Sequence, residues 1–387
     1  MAPVQGTCDP RFKEVETLLQ GFLDSGDELG ASIVVNIDGH DVVDLWGGYA
    51  DAARTRAWAK DTITNVWSTS KTITALAGLL LIERGILSPS DKVSKHWPEF
   101  AANGKQDVEV CHVLSHTSGV SGWDAPMTMA DILDTEKSTA LLARQAPFWP
   151  PGTAIGYHSL TMGSLVGELV RRTTGKSLKQ FVADEIAGPL RADFQLGAAE
   201  ADWARVADVV PPPAKAAADS LVAKNGMGLV TVKTFANPPV DANIANTPQW
   251  RRAEVGAANG HGNARGVARI LSVIALDGRV GDVQLLSPKT IDLIFQQQAD
   301  GVDLAAGLPF RFGIGYGLTG KHTEAKWLPD GRICFWGGWG GSVGIVDVER
   351  RMTISYVMNK MENVVFGNDR SKACVQAVYR ALGVQTE

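Results

Sequence analysis

Ser68 and Lys71 stand three positions apart where an apolar, helix-like run, Thr72 to Ile82, begins. On a helix starting near Ser68, that spacing puts a hydroxyl and an ammonium on one face, within reach of each other. The first turn of a helix carries unpaired N–H groups and partial positive charge. Such an end favours the oxyanion formed when a serine attacks a carbonyl, and it helps a lysine lose its proton. A free lysine titrates near about 10.4, so without such help only roughly one in a thousand is a base at neutral pH. Taken alone, the pair also fits a serine N-cap followed by a surface lysine. Partners elsewhere in the chain have to decide between the two.

A serine nucleophile needs a third group to relay protons, and the chain has only five tyrosines and seven histidines. Tyr157 follows the turn-forming run Trp149-Pro150-Pro151-Gly152-Thr153 and immediately precedes a helical pattern at Ser159, so it lies on a loop at a helix start. The alternative for Tyr157 is a loop tyrosine that packs its ring. Tyr356 and Tyr379 fall in the middle of elements and read as core. A second stretch, Phe335-Trp336-Gly337-Gly338-Trp339-Gly340-Gly341-Ser342, closes an expected strand. Dense glycine beside a strand marks a bulge or the close approach of a backbone or ligand, and its N–H groups could serve an oxyanion. A tight turn needing positive φ accounts for the same glycines.

The elements that must hold these groups can be read in order. Asp9-Pro10 opens an amphipathic helix with Phe12, Val15, Leu18, Leu19 and Phe22 on one face, ended by Gly26. Ala31 to Asn36 and Asp41 to Leu45 form a hairpin across Asp38-Gly39. Helices are expected at Ser68 to Arg84, Ser159 to Arg172, from Ser177 to just before Gly188-Pro189, Ala264 to Leu276 and Ser287 to Gln297. Residues 198 to 250 read as a long irregular functional loop. Strands return at Arg332 to Trp336, Val343 to Val348 and Thr353 to Met358, followed by a helix from Asp369 to Leu382. Strands at both ends with helices between imply an α/β fold: one antiparallel sheet built from both termini, flanked by helices, with a helical domain inserted. The sheet part is assigned to residues 1–62 and 283–387 and the helical part to 63–282, with the site in the cleft between them.

With 387 residues, 45% hydrophobic and 20% charged, the chain can bury a large core. A net charge of −5 gives no basic footprint, which argues against nucleic acid as a partner. The N-terminal residues show no signal-peptide pattern and the longest apolar run is too short to span a membrane, so a cytoplasmic location without membrane contact is expected. Cys8, Cys111, Cys334 and Cys374 are widely spaced and read as free thiols; no metal site is expected.

Ser68-x-x-Lys71, then Tyr157-His158-Ser159 after 89 residues, then Trp336-Gly337-Gly338 near the C-terminal strands resemble the serine β-lactamase-like family of class C β-lactamases and family VIII carboxylesterases. In that pattern the motifs are S-x-x-K, Y-x-N or Y-x-S, and K-T-G, with W-G-G or H-G-G in the esterases. The resemblance extends through Leu114-Ser115-His116-Thr117-Ser118-Gly119, Pro151-Gly152-Thr153 and Gly260-His261-Gly262-Asn263. Ser159 in place of asparagine and Trp336 in place of lysine place the chain on the esterase side. The resemblance implies a serine β-lactamase-like fold, an oxyanion hole made by the N–H groups of Ser68 and Trp339, and no metal or organic cofactor.

The reading that follows is a hydrolase of small carboxylic esters that works through an acyl-enzyme on Ser68. Lys71 and Tyr157 are its acid–base pair, either one serving as the base. Trp336, Gly337, Gly338, Ser159 and Trp123 are expected to bind substrate. Transfer of the acyl group to an alcohol, β-lactam hydrolysis and a non-catalytic acyl sensor are the alternatives. Gly340-Gly341-Ser342-Val343-Gly344 matches G-x-S-x-G, but that elbow requires a later histidine and the last one is His322. His112 and His116, four apart, lack the glutamate of a zinc-protease motif and read as structural.

Overall fold

Asp38 and Gly39 adopt positive φ, 49° and 85°, and fold the strand Gly30–Ile37 back onto His40–Gly48. This is the hairpin that Asp-Gly between two β-rich runs specifies, because both central residues of such a turn need the left-handed region. The computed structural model describes residues 3–213 and 228–386. Residues 214–227 of the 198–250 stretch lie outside them; the rest of that stretch is not irregular throughout but carries the short helices Glu200–Arg205, Leu229–Phe235, Ala242–Asn246 and Pro248–Arg252.

The hairpin sits inside a sheet in which, among the described residues, nine strands pair antiparallel throughout. Their order is Gln5–Cys8, His40–Gly48, Gly30–Ile37, Met352–Met358, Val343–Asp347, Ile333–Gly337, Gly317–Leu318, Pro309–Phe312, Ala299–Val302. The last strand of the chain pairs with the first hairpin over Met352↔Ile37 to Met358↔Ala31, so the two termini together make the sheet. Every residue of Val343–Asp347 and Met352–Met358 is buried, which requires cover on both faces. The helix Ala264–Ala275 and the paired terminal helices Lys13–Ser25 and Asp369–Ala381 supply it.

Four strands of this sheet were not legible in the sequence. Gln5–Cys8, Ala299–Val302, Pro309–Phe312 and Gly317–Leu318 are two to four residues long and interrupted by glycine or proline, so no alternation develops. The helix expected to stop before Gly188-Pro189 instead continues. Leu178–Val182 widens into a π turn over Ala183–Ala187, and Gly188–Leu190 completes it. There the Gly188 N–H reaches back to the Ala183 carbonyl, and Pro189 enters as one of the first residues of the next turn, where no N–H is needed.

The helix Ala264–Ala275 lies in the 63–282 segment, yet it packs on the sheet strands Gly30–Ile37, Val343–Asp347 and Met352–Met358. Its buried face of Val267, Ile270, Leu271 and Ile274 requires a broad apolar partner, and the sheet is the one available. Among the described residues no helix is long and apolar enough to cross a membrane. The four cysteines are unpaired; three are buried and Cys8 is partly so.

Candidate active site

The helix that follows Ser68 in sequence, Ser70–Glu83, is buried from Ser70 through Leu81 and passes through the middle of the molecule. It starts two residues later than a start at Ser68, so Ser68 lies on the turn leading in, where its carbonyl accepts from the Lys71 N–H (2.9 Å). Trp67, just before it, has φ of 48°, the left-handed region that bulky side chains rarely adopt. Surrounding contacts hold that backbone. The Trp67 ring packs against Trp250 (5.8 Å) and Trp339 (5.1 Å). The Val66 N–H donates to Gly260 O (2.8 Å), and Ser70 Oγ donates to Trp67 O (2.5 Å) while accepting from the Gly260 N–H (2.8 Å). The Gly260–Gly262 strand thus acts as a brace for the serine turn.

Lys71 Nζ lies 3.0 Å from Ser68 Oγ, 2.8 Å from Ser159 O and 2.9 Å from Ala257 O. Two of these neighbours are carbonyls, which can only accept. In the neutral amine they take both hydrogens and leave the lone pair facing Ser68. Burial drives the Lys71 ammonium well below its ordinary range. The Tyr157 hydroxyl donates to Ser68 Oγ (2.8 Å), and its ring lies beneath Lys71 Nζ at 4.7 Å. Burial pushes the Tyr157 hydroxyl upward, with the Ser68 hydroxyl and the Trp336 indole acting in the opposite sense. The two shifts point the same way: a neutral amine beside a protonated phenol.

The glycine stretch docks on this turn. Gly338 lies so close to it that a Cβ there would sit 2.2 Å from Val66 O and 2.4 Å from Ser342 Oγ, so only glycine lets the strand end approach the serine turn. Neither the Ser68 nor the Trp339 backbone N–H has a hydrogen-bond partner among the described residues. Trp336 is buried and packs on Tyr157 (5.4 Å), Phe312 (5.1 Å) and Phe366 (4.8 Å). Among the described residues its indole N–H closes no hydrogen bond of ordinary geometry.

The structure therefore brings Ser68, Lys71, Tyr157, Ser159, Trp336, Gly337, Gly338 and Trp339 into one region. Ser159 contributes its carbonyl to Lys71 rather than its hydroxyl. Trp123 does not join them: its ring packs in the main core rather than in the cluster of Tyr157, Phe310, Phe312 and Trp336, and its indole N–H is given to Ser138 O (2.9 Å). What that loop does is hold the 198–250 stretch, since Asn237 Nδ2 donates to Trp123 O (2.7 Å). From that stretch Phe235 reaches Tyr157 (6.3 Å). Ser342 is buried, donating to Val66 O (2.9 Å) and paired with Thr69 Oγ1 (2.9 Å). His112 caps the helix Val110–Leu114, and His116 lies beyond it, so the two do not share a helix face.

The acceptors Ala257 O and Ser159 O, the strained Trp67 and the brace at Gly260 were missed in the sequence. Backbone carbonyls carry no residue-type signal, and a left-handed tryptophan has none either.

Residues 15–378 match the sequence model of the β-lactamase family. The chain is 31% identical over 375 residues to the Mycobacterium tuberculosis protein named "Esterase/beta-lactamase LipL", covering 92% of this chain and 83% of that one. Its structure superposes on that of a family VIII carboxylesterase with a TM-score of 0.90 and 37% identity, covering 98% of this chain and 99% of the other. A penicillin-binding protein homologue from Caulobacter crescentus superposes with a TM-score of 0.90, 32% identity and the same coverage, 98% and 99%.

Proposed function

We propose that this chain, which belongs to the β-lactamase family, is a serine hydrolase that cleaves small carboxylic esters through an acyl-enzyme on Ser68. The observation that carries the reading is the convergence on one serine oxygen of a buried lysine and a buried tyrosine, at 3.0 and 2.8 Å. The ester assignment is supported by the names of the relatives and by Trp336 standing where β-lactamases carry a cation.

In this reading neutral Lys71 is the base. It takes the Ser68 proton as Oγ attacks the ester carbon, and the carbonyl oxygen moves toward the N–H groups of Ser68 and Trp339. When the tetrahedral adduct collapses, the departing alkoxide takes its proton from the Tyr157 hydroxyl, which is resupplied by the Lys71 ammonium. Water then enters and gives a proton to the same pair as its oxygen attacks the acyl carbon; when that adduct collapses, the bond to Ser68 Oγ breaks, the pair returns the proton to Oγ and the acid leaves. The chemistry calls for no metal or cofactor. A cytoplasmic location belongs to the same reading and is supported by the four unpaired cysteines.

A chromogenic aryl ester tests the proposal. Stopped-flow mixing should show a burst of about one equivalent of phenol, as in covalent catalysis, followed by steady turnover. Release of one equivalent and no more would make the protein an acyl acceptor rather than a hydrolase.

A further inference from the structure

The segment Leu114 to Gly119 has no part in the chemistry above, yet its bonds converge on the loop that carries Tyr157. The Gly156 N–H donates to His116 O (3.0 Å), and the His158 N–H donates to His116 Nδ1 (3.1 Å). The residues on both sides of Tyr157 are thus tied to one histidine. The His116 ring also packs on Tyr157 (5.1 Å) and on Trp336 (5.9 Å).

The tautomers follow from the partners. A carbonyl only accepts, so His158 Nδ1, 2.6 Å from Gly156 O, carries its hydrogen. His158 Nε2 is then bare and accepts from the Ser118 hydroxyl (2.6 Å). A backbone N–H only donates, so His116 Nδ1 is bare as well and its hydrogen sits on Nε2. Burial keeps both rings neutral, with His158 brought down to about 4 and His116 well below its ordinary value. His116 also has φ of 62°, left-handed backbone that this network helps to hold.

We propose that His116 is a positioning residue for the acid–base step: by bonding the residues on both sides of Tyr157 and packing against the phenol, it holds the Tyr157 hydroxyl at hydrogen-bond distance from Ser68. The inference rests on the reading of Ser68, Lys71 and Tyr157 given above. It goes further in assigning a role to a side chain that touches neither substrate nor the reacting atoms.

The test uses two substitutions with opposite chemistry. His116→Asn keeps an acceptor near Nδ1 and suits left-handed backbone, whereas His116→Phe keeps a ring and removes the acceptor. A misplaced catalytic group can cost about 10²-fold. His116→Phe should therefore lower kcat by roughly 10- to 100-fold with KM within about twofold, and His116→Asn should recover most of that loss. In a Tyr157→Phe background, His116→Phe should cost almost nothing more. Equal losses in both backgrounds, or a loss carried by KM, would show a structural role only and overturn the proposal.

Single-turnover phosphonylation of Ser68 by an aryl phosphonate provides a second readout that does not depend on ester turnover. The same pattern of losses is expected there. If esters are not turned over but Ser68 is phosphonylated with this pattern, the ester assignment falls and the role of His116 stands. If Ser68 is not phosphonylated at all, both fall.

Discussion

Lys71 Nζ approaches Ser68 Oγ to 3.0 Å while the carbonyls of Ser159 and Ala257 occupy its other two hydrogen-bonding directions. The arrangement directs a lone pair at the serine with no acidic partner for the lysine among the described residues. Burial favours the neutral amine, and the carbonyls keep it aimed.

Activity should therefore rise with pH as Lys71 loses its proton, at a pH well below the lysine range of about 10.4. Because burial raises the Tyr157 hydroxyl, loss of activity by phenol ionisation should appear only above the ordinary tyrosine value of about 10. A kcat/KM profile checks both limbs. A lower limb that persists in Lys71→Ala would remove Lys71 as the base.

The same burial couples to stability. The folded-state pKa of Lys71 is depressed, so between that value and about 10.4 the unfolded chain binds the proton more tightly. Stability should thus rise with pH across this interval and be lost as pH falls through it. Urea unfolding of wild type and Lys71→Met at pH 7 and pH 10 should show the difference shifting toward wild type at the higher pH. Parallel pH dependences would mean that Lys71 is charged in the folded protein.

Lys71→Ala and Tyr157→Phe should each lower the acylation rate by about 10²–10⁴-fold, the range for positioned acid–base groups. Both act on one oxygen, so the double variant should be little worse than either single one. Losses that multiply in single-turnover kinetics would mean independent roles.

Ser68→Ala should abolish hydrolysis with little change in thermal unfolding, because Ser68 is partly exposed on a turn that other residues brace. A serine-directed phosphonate should label the peptide holding Ser68. Ser342, buried and bonded to Val66 and Thr69, should stay unlabelled by mass spectrometry; an adduct there would move the nucleophile.

Neutral esters should be better substrates than penicillins. A fixed cation beside a substrate carboxylate contributes on the order of 1–3 kcal/mol, roughly 5- to 150-fold, and Trp336 offers an aromatic wall instead. Two other cations come near in sequence, but neither fills the gap. Arg311 lies between Phe310 and Phe312, whose rings pack on Trp336, so strand alternation turns it to the other face. Lys321 is exposed and pairs with Asp330 (3.4 Å). Comparing kcat/KM for an aryl acetate and a penicillin tests this, and similar values would favour a β-lactamase.

By itself the sequence determined the nucleophile turn, the hairpin, the terminal helices and the pairing of both termini in one sheet, because each is written in local signals. Asp38-Gly39 needs positive φ, Asp9-Pro10 starts a helix, and Ser68 and Lys71 are close through three residues of backbone. The motif order also pointed to Tyr157 and Trp336. The reading of Lys71 as the base comes from tertiary structure alone, since it rests on burial and on two carbonyls, Ser159 O and Ala257 O, that come from distant segments. Tertiary structure also took Trp123 out of the pocket and brought His116 up to the tyrosine loop. A tryptophan can wall a cleft or fill a core, and a histidine can cap a helix or brace a loop. Long-range packing chooses between those fates, and no local pattern records the choice.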